Sequence, residues 1–240
     1  MNRLADPAAR IIIALDVESR GPALDLVREL PEAEIFKVGL ELFTAEGPAL
    51  LEDIRALGKQ VFLDLKLHDI PNTVAGAARL GVRHGARMMT IHASGGAEMM
   101  SGAAEAARAE SARLGAAKPL LLGVTILTSL KNDDLAAIGM MPDAGAQVLR
   151  LAVLAAGAGM DGVVCAAQEI EIVRKKIGPG FLIVTPGIRP AWAAAQDQKR
   201  IMTPAEAVGR GSDYLVVGRP VTRASSPREA FRKIVEEMSA

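Results

Sequence analysis

Eight short runs of β-forming residues recur along this chain, and each gap between them is long enough to hold a helix. They span residues 10–15, 35–39, 60–65, 88–92, 120–125, 162–165, 182–185 and 214–218. Most are continuously apolar rather than alternating, which suits strands covered on both faces, as in a parallel sheet. The intervening segments are rich in Ala, Leu, Glu and Arg. Residues 22–30, 45–57, 73–84, 97–114, 144–156, 169–177 and 227–238 are expected to be helical. A weak repeat marks the return from helix to strand: Gly85-Ala86-Arg87, Gly159-Met160-Asp161 and Gly211-Ser212-Asp213, with Gly58-Lys59-Gln60 in the same place before the third run. Glycine just past a helix end permits the left-handed backbone that stops the helix.

Strand and helix in eightfold alternation over 240 residues predict an α/β fold, a (β/α)8 TIM barrel forming a single domain over residues 1–240. A doubly wound open sheet is the alternative, but it often carries a Gly-x-Gly-x-x-Gly turn after its first strand. Here that position holds Leu15-Asp16-Val17. Residues 191–195 and 196–200, after the seventh run, read as a loop or a short surface helix.

Charge narrows the partners. Lys and Arg total 28, as do Asp and Glu, so the formal net charge is zero. A nucleic-acid or anionic-membrane partner would call for a strong basic excess. No apolar run approaches the ~20 residues of a membrane span, and the N-terminus lacks the basic-apolar-cleavable order of a signal peptide. The one cysteine, Cys165, has no partner for a disulfide and reads as a small core residue. A soluble, cytoplasmic protein is expected.

In a barrel, functional groups gather at the C-terminal ends of the strands. The unusual polar residues fall there: Asp16, Lys37, Asp64 and Lys66, His92, the run Thr125–Ser129, then Pro186, Gly187 and Arg189, and finally Gly218 and Arg219. The densest group is Asp64-Leu65-Lys66-Leu67-His68-Asp69. Residues two apart on a strand face the same side, so Asp64 and Lys66 point together. Two charges about 4 Å apart interact by roughly 4 kcal/mol at an effective dielectric near 20. Alternating charges can therefore hold Lys66 protonated and in place. Gly187 and Gly218, each followed by an arginine, supply backbone N–H groups and guanidinium donors where barrels often bind phosphate.

The segment Asp64-Leu65-Lys66-Leu67-His68-Asp69-Ile70-Pro71-Asn72-Thr73 resembles the signature of the orotidine 5'-phosphate decarboxylase family, with its Asp-x-Lys-x-x-Asp pattern. Ala14-Leu15-Asp16, Lys37-Val38-Gly39, Thr125-Ile126-Leu127-Thr128-Ser129, Thr185-Pro186-Gly187-Ile188-Arg189-Pro190 and Val217-Gly218-Arg219-Pro220-Val221-Thr222 resemble further family motifs in order and spacing. Leu67 stands where many relatives carry an aromatic.

The resemblance implies cofactor-free and metal-free conversion of orotidine 5'-phosphate to UMP and carbon dioxide. Lys66 would protonate C6. Asp64 would sit beside the substrate carboxylate. Lys37 and Asp69 would complete an alternating network of lysines and aspartates. It also implies a homodimer with shared sites, in which Asp69, Ile70 and Thr73 complete the partner's site. Asp16 and Lys37 would bind ribose, and Thr128 would line the pyrimidine pocket beside Pro186. Arg189, Gln198, Gly218 and Arg219 would hold the 5'-phosphate, with Gln198 on a closing loop.

Plainer readings stand beside these. Asp69 could cap the helix that begins near Pro71, and Lys37 could extend its ammonium to water. Asp64 and Lys66 could be a structural ion pair. His92 could be a base, a metal ligand or a hydrogen-bonded structural residue, although His68, His84 and His92 show no zinc spacing. The nearest rival activity is a metal-dependent sugar-phosphate decarboxylase or synthase on the same scaffold. Those enzymes place an acidic residue on the second strand, where this chain has Lys37.

Overall fold

The computed structural model describes residues 6–193 and 202–239. Eight parallel strands close into a barrel in chain order. They are β1 (Ile11–Ala14), β2 (Ile35–Gly39), β3 (Gln60–Leu67), β4 (Met88–His92), β5 (Leu120–Val124), β6 (Gly162–Val164), β7 (Leu182–Thr185) and β8 (Tyr214–Val217). The seam is made by β1 on β8, with Ile11 opposite Leu215 and Ile13 opposite Val217. Outside lie α1 (Arg20–Glu29), α2 (Leu40–Glu46), α3 (Ala49–Ala56), α4 (Pro71–Arg83), α5 (Ala97–Leu114), α6 (Asn132–Ala137), α7 (Ala144–Gly157), α8 (Ile170–Ile177), α9 (Pro204–Gly209), α10 (Arg219–Thr222) and α11 (Pro227–Ser239). Among the described residues no helix is long and apolar enough to cross a membrane.

The strands are apolar on both faces because each face meets a different core. Ile11, Ile13, Phe36, Val38, Val61, Leu63, Met89 and Ile91 join the large cluster under the helices. The alternate residues Ile12, Ala14, Ile35, Phe62, Met88, Leu122, Val184, Tyr214 and Val216 form a second cluster filling the barrel interior. This period of two positions the site. Two residues beyond Ala14, Ile35, Phe62, Val184 and Val216 come Asp16, Lys37, Asp64, Pro186 and Gly218, so the interior face becomes polar at the mouth.

The Gly-x-Asp repeats act at the opposite end. Asp161 accepts the Leu121 N–H at 2.8 Å and pairs with Lys118 at 2.7 Å. Asp213 accepts the Ile183 N–H at 2.7 Å and pairs with Arg174 at 2.6 Å. Each aspartate thus ties the entrance of its own strand to the strand before it. Gly162 is required by close approach: a Cβ there would collide with the Leu182 carbonyl on β7.

The structure differs from the sequence reading in places. The helix expected over 45–57 is two, α2 and α3. Gly47 takes a left-handed φ of 66° and Pro48, without an N–H, opens the second helix. Strand β3 runs two residues past the expected end at 65. The short helices α6, α9 and α10 were not anticipated; α9 is closed by a capping box of Thr203 and Glu206. Residues 191–193 form a 3-10 turn, and most of the loop expected after them, with Gln198, lies outside the described residues.

Candidate active site

A cavity of about 340 Å³ opens at the C-terminal end of the barrel. Its lining brings together Asp16, Lys37, Asp64, Lys66, Thr128, Pro186, Arg189, Gly218 and Arg219, contributed by the ends of five strands and the loop after β5. Phe62, Val124, Val164 and Val216 form its apolar floor. Ile126, Ile188 and Pro220 also line it; they stand inside motifs noted in the sequence, yet nothing in their residue type assigned them a place.

On one side the charges form a chain. Lys37 Nζ lies 3.4 Å from Asp16 Oδ1 and 3.5 Å from Asp64 Oδ2. Lys66 Nζ lies 2.9 Å from the same Asp64 oxygen. The side chains of Lys37 and Asp64 are each 12 % exposed and that of Lys66 is 39 % exposed. Asp64 therefore serves two ammonium groups, of which only Lys66 is substantially open to the cavity. A lysine ammonium has three donors, so Lys66 keeps protons available beyond the one given to Asp64. Lys37 is covered and doubly paired, which removes the reading of it as a solvent-extended lysine.

The backbone at Lys66 is unusual. Its φ of 52° makes it the one non-glycine residue with positive φ among those described, a conformation that costs energy and recurs at functional sites. The β3–β4 ladder breaks there: Leu63 faces Met89 and Leu67 faces Ile91, so β3 uses four steps where β4 uses two. The surplus is two residues, so side-chain parity survives. Asp64 and Lys66 both reach the cavity, while Leu63, Leu65 and Leu67 pack under the helices.

Thr90, which the sequence reading passed over, fills this break. It is 1 % exposed. Its hydroxyl donates to Asp64 Oδ1 at 2.9 Å and accepts the Lys66 N–H at 2.9 Å. Its place was legible in parity alone, because Thr90 follows the interior residue Met88 by two.

His92 ends β4 with its ring centroid 5.2 Å from that of His68. Burial, reinforced by the charges of His68 and Lys66, holds its imidazole below the ordinary range, against an opposing pull from Asp64. Among the described residues no group of three or more His, Cys, Asp or Glu side chains is placed to hold a metal ion. Cys165 is buried and burial pushes its thiol up, as expected of a core residue.

Across the cavity, the loops after β7 and β8 present Gly187, with φ of 76°, and Gly218 beside Arg189 and Arg219. A Cβ on Gly218 would come within 3.2 Å of Asp16 Oδ2, so the bare backbone there fits tightly against the charged side. Within one chain, Asp69, Ile70 and Thr73 do not line the cavity; all three are exposed. Asp69 is not the cap of α4 either. Ile70 holds that position, and Asp69 Oδ1 accepts the Ile70 N–H at 2.7 Å.

Residues 9–234 match the model of the "Orotidine 5'-phosphate decarboxylase / HUMPS family". An orotidine 5'-phosphate decarboxylase of Alkalilimnicola ehrlichii is 54 % identical over 233 residues, covering 97 % of each chain. One of Syntrophotalea carbinolica is 51 % identical, covering 99 % of this chain and 98 % of that one. Among solved structures, orotidine 5'-phosphate decarboxylase from Lactobacillus acidophilus superposes with a TM-score of 0.85 at 38 % identity, covering 96 % of this chain and 99 % of the other.

Proposed function

The chain belongs to the orotidine 5'-phosphate decarboxylase / HUMPS family, and from that premise we propose that it converts orotidine 5'-phosphate to UMP and carbon dioxide, with Lys66 as proton donor to C6. The observation that carries this reading is one partly open ammonium, Lys66, fixed by a carboxylate that a second, largely covered ammonium also holds.

Cleavage of the C6–carboxylate bond releases carbon dioxide and leaves the electron pair on C6, in the ring plane and outside the π system. A fixed cation at that atom stabilises the developing charge. Transfer of one proton from Lys66 Nζ then gives UMP and a neutral amine, which regains its proton from solvent. In this reading the Lys66 ammonium supplies the stabilising cation, and the step draws on no cofactor or metal. Asp64 holds the ammonium and adjoins the departing carboxylate. Asp16 and Lys37 take the ribose hydroxyls, and Thr128 and Pro186 border the base. Arg189, Gly218 and Arg219 receive the 5'-phosphate, assisted by Gln198. Phosphate affinity then serves to hold the ring against Lys66.

The protein acts as a cytoplasmic homodimer in which Asp69, Ile70 and Thr73 complete the partner's site, and residues 1–240 form one domain. Support for the shared site is that Ile70, a large apolar residue, is 67 % exposed beside the exposed Asp69. Mixing Lys66→Ala with Asp69→Ala protomers is expected to restore turnover, because one site of each mixed dimer carries both native residues. No recovery after demonstrated exchange refutes sharing.

The deciding assay follows loss of orotidine 5'-phosphate absorbance in EDTA. Full turnover is expected. Activity abolished by chelation and restored by magnesium, or turnover of a sugar phosphate in its place, would assign the protein to the metal-dependent rival. Lys37 argues against that rival, since a cation occupies the β2 position where a metal site needs an acid.

A further inference from the structure

We propose that Thr90 is the positioning residue for the reacting lysine, one hydroxyl setting both the orientation of Asp64 and the left-handed backbone of Lys66. The inference rests on the decarboxylase reading for its kinetic consequences, but its geometric basis stands apart from that reading.

A threonine hydroxyl has one proton to give and lone pairs to accept with. Here both capacities are used within one gap. Its proton goes to Asp64 Oδ1 and its lone pair takes the Lys66 N–H. The first bond fixes which carboxylate oxygen faces the cations. With Oδ1 committed to Thr90, Oδ2 alone meets Lys37 and Lys66. The second bond satisfies the backbone N–H of Lys66, the residue with φ of 52°, at the β3–β4 break. Without it, a part-buried donor would go unpaired, and the strained conformation would lose a restraint. Thr90 itself is nearly inaccessible to solvent and does not line the cavity. It acts on the reaction through Asp64 and Lys66.

Thr90→Val keeps the shape and removes the hydroxyl, while Thr90→Ser keeps the hydroxyl and removes the methyl. For the full-length protein, Thr90→Val is expected to lower kcat roughly tenfold to a hundredfold, the scale of a lost hydrogen bond to a charged group. KM and the dissociation constant for UMP should change much less than kcat, because the groups assigned to phosphate are untouched and Lys37 keeps its pairing with Asp16. Thr90→Ser should restore most of the lost kcat. Wild-type kcat in Thr90→Val, or Thr90→Ser falling as far as Thr90→Val, overturns the inference. If Thr90→Val does not fold, Thr90→Ser against Thr90→Ala decides in the same way, with equal kcat overturning it. A crystal structure of the valine or alanine variant separates this proposal from the activity assignment. A turned Asp64 carboxylate or a Lys66 φ outside the left-handed region is expected whatever the substrate, and unchanged geometry overturns the inference even if the wild type proves inactive on orotidine 5'-phosphate.

Discussion

The two ends of the barrel pair aspartate with a cation, yet put the pairing to different uses. At the base, Asp161 and Asp213 each combine one strand N–H with one side-chain cation, Lys118 or Arg174. The backbone bond makes each pair part of the strand register. At the mouth, Asp64 takes its partners from side chains: the Thr90 hydroxyl and the ammonium groups of Lys37 and Lys66. There the cation keeps unspent donors facing a cavity. The same residue types therefore bind strand to strand where the partner is backbone, and leave a reachable ammonium at the mouth for the proposed chemistry. This matches the general division of such barrels into a stabilising base and a functional mouth.

Lys66→Ala and Asp213→Ala should separate the two ends by the widest margin. Lys66→Ala is expected to cut turnover by about a hundredfold to ten-thousandfold or more, the range of a general acid, with little change in thermal midpoint. Asp213→Ala should leave kcat per folded molecule unchanged. It should instead cost roughly 1–3 kcal/mol of unfolding free energy, since the Ile183 N–H loses its acceptor and Arg174 its counter-ion. Denaturant melts beside steady-state assays measure both. A stability loss at Lys66 equal to that at Asp213, with modest kinetic change, would erase the distinction between the two ends.

A smaller effect concerns acid. Glu110 on α5 is held at about 2 by hydrogen bonds from Arg113 and then Arg83. A carboxylate with a folded value below its unfolded one adds stability that is present above the unfolded value. That stability is lost as pH falls through the folded value, because the unfolded chain binds the proton first. Glu110→Gln should thus flatten the fall in stability between about pH 4.5 and pH 2, while leaving neutral-pH turnover alone. An acid melt as steep as wild type would remove Glu110 from the account.

Much of the barrel was legible because its signals are local. A strand buried on both faces needs apolar residues throughout, so the eight runs stand out, and their ends fall within two residues of β1 to β8. The polar residues at those ends were legible for the same reason, being exceptions in apolar runs; Asp16, Lys37, Asp64 and Lys66 do meet. The break between α2 and α3 was written in Gly47-Pro48 but outweighed by the helix-forming residues around it. Thr90 was hidden differently. Parity places it inside, but a threonine in a strand is ordinary, and only the two extra residues of β3 opposite β4 bring its hydroxyl to Asp64 and Lys66. Asp69 could not be placed from one chain, because it stands exposed and outside the cavity lining, two residues before α4 begins.

On the proposed reading, the Lys66 ammonium, steadied by Asp64, addresses C6 of the bound pyrimidine. A crystal structure of the protein with UMP decides whether it does. Lys66 Nζ is expected within about 3–3.5 Å of C6, with Asp64 still paired to it and the 5'-phosphate between the loops carrying Gly187 and Gly218. An amine turned from the base and many ångströms distant, with the nucleotide otherwise seated in the cavity, would contradict it.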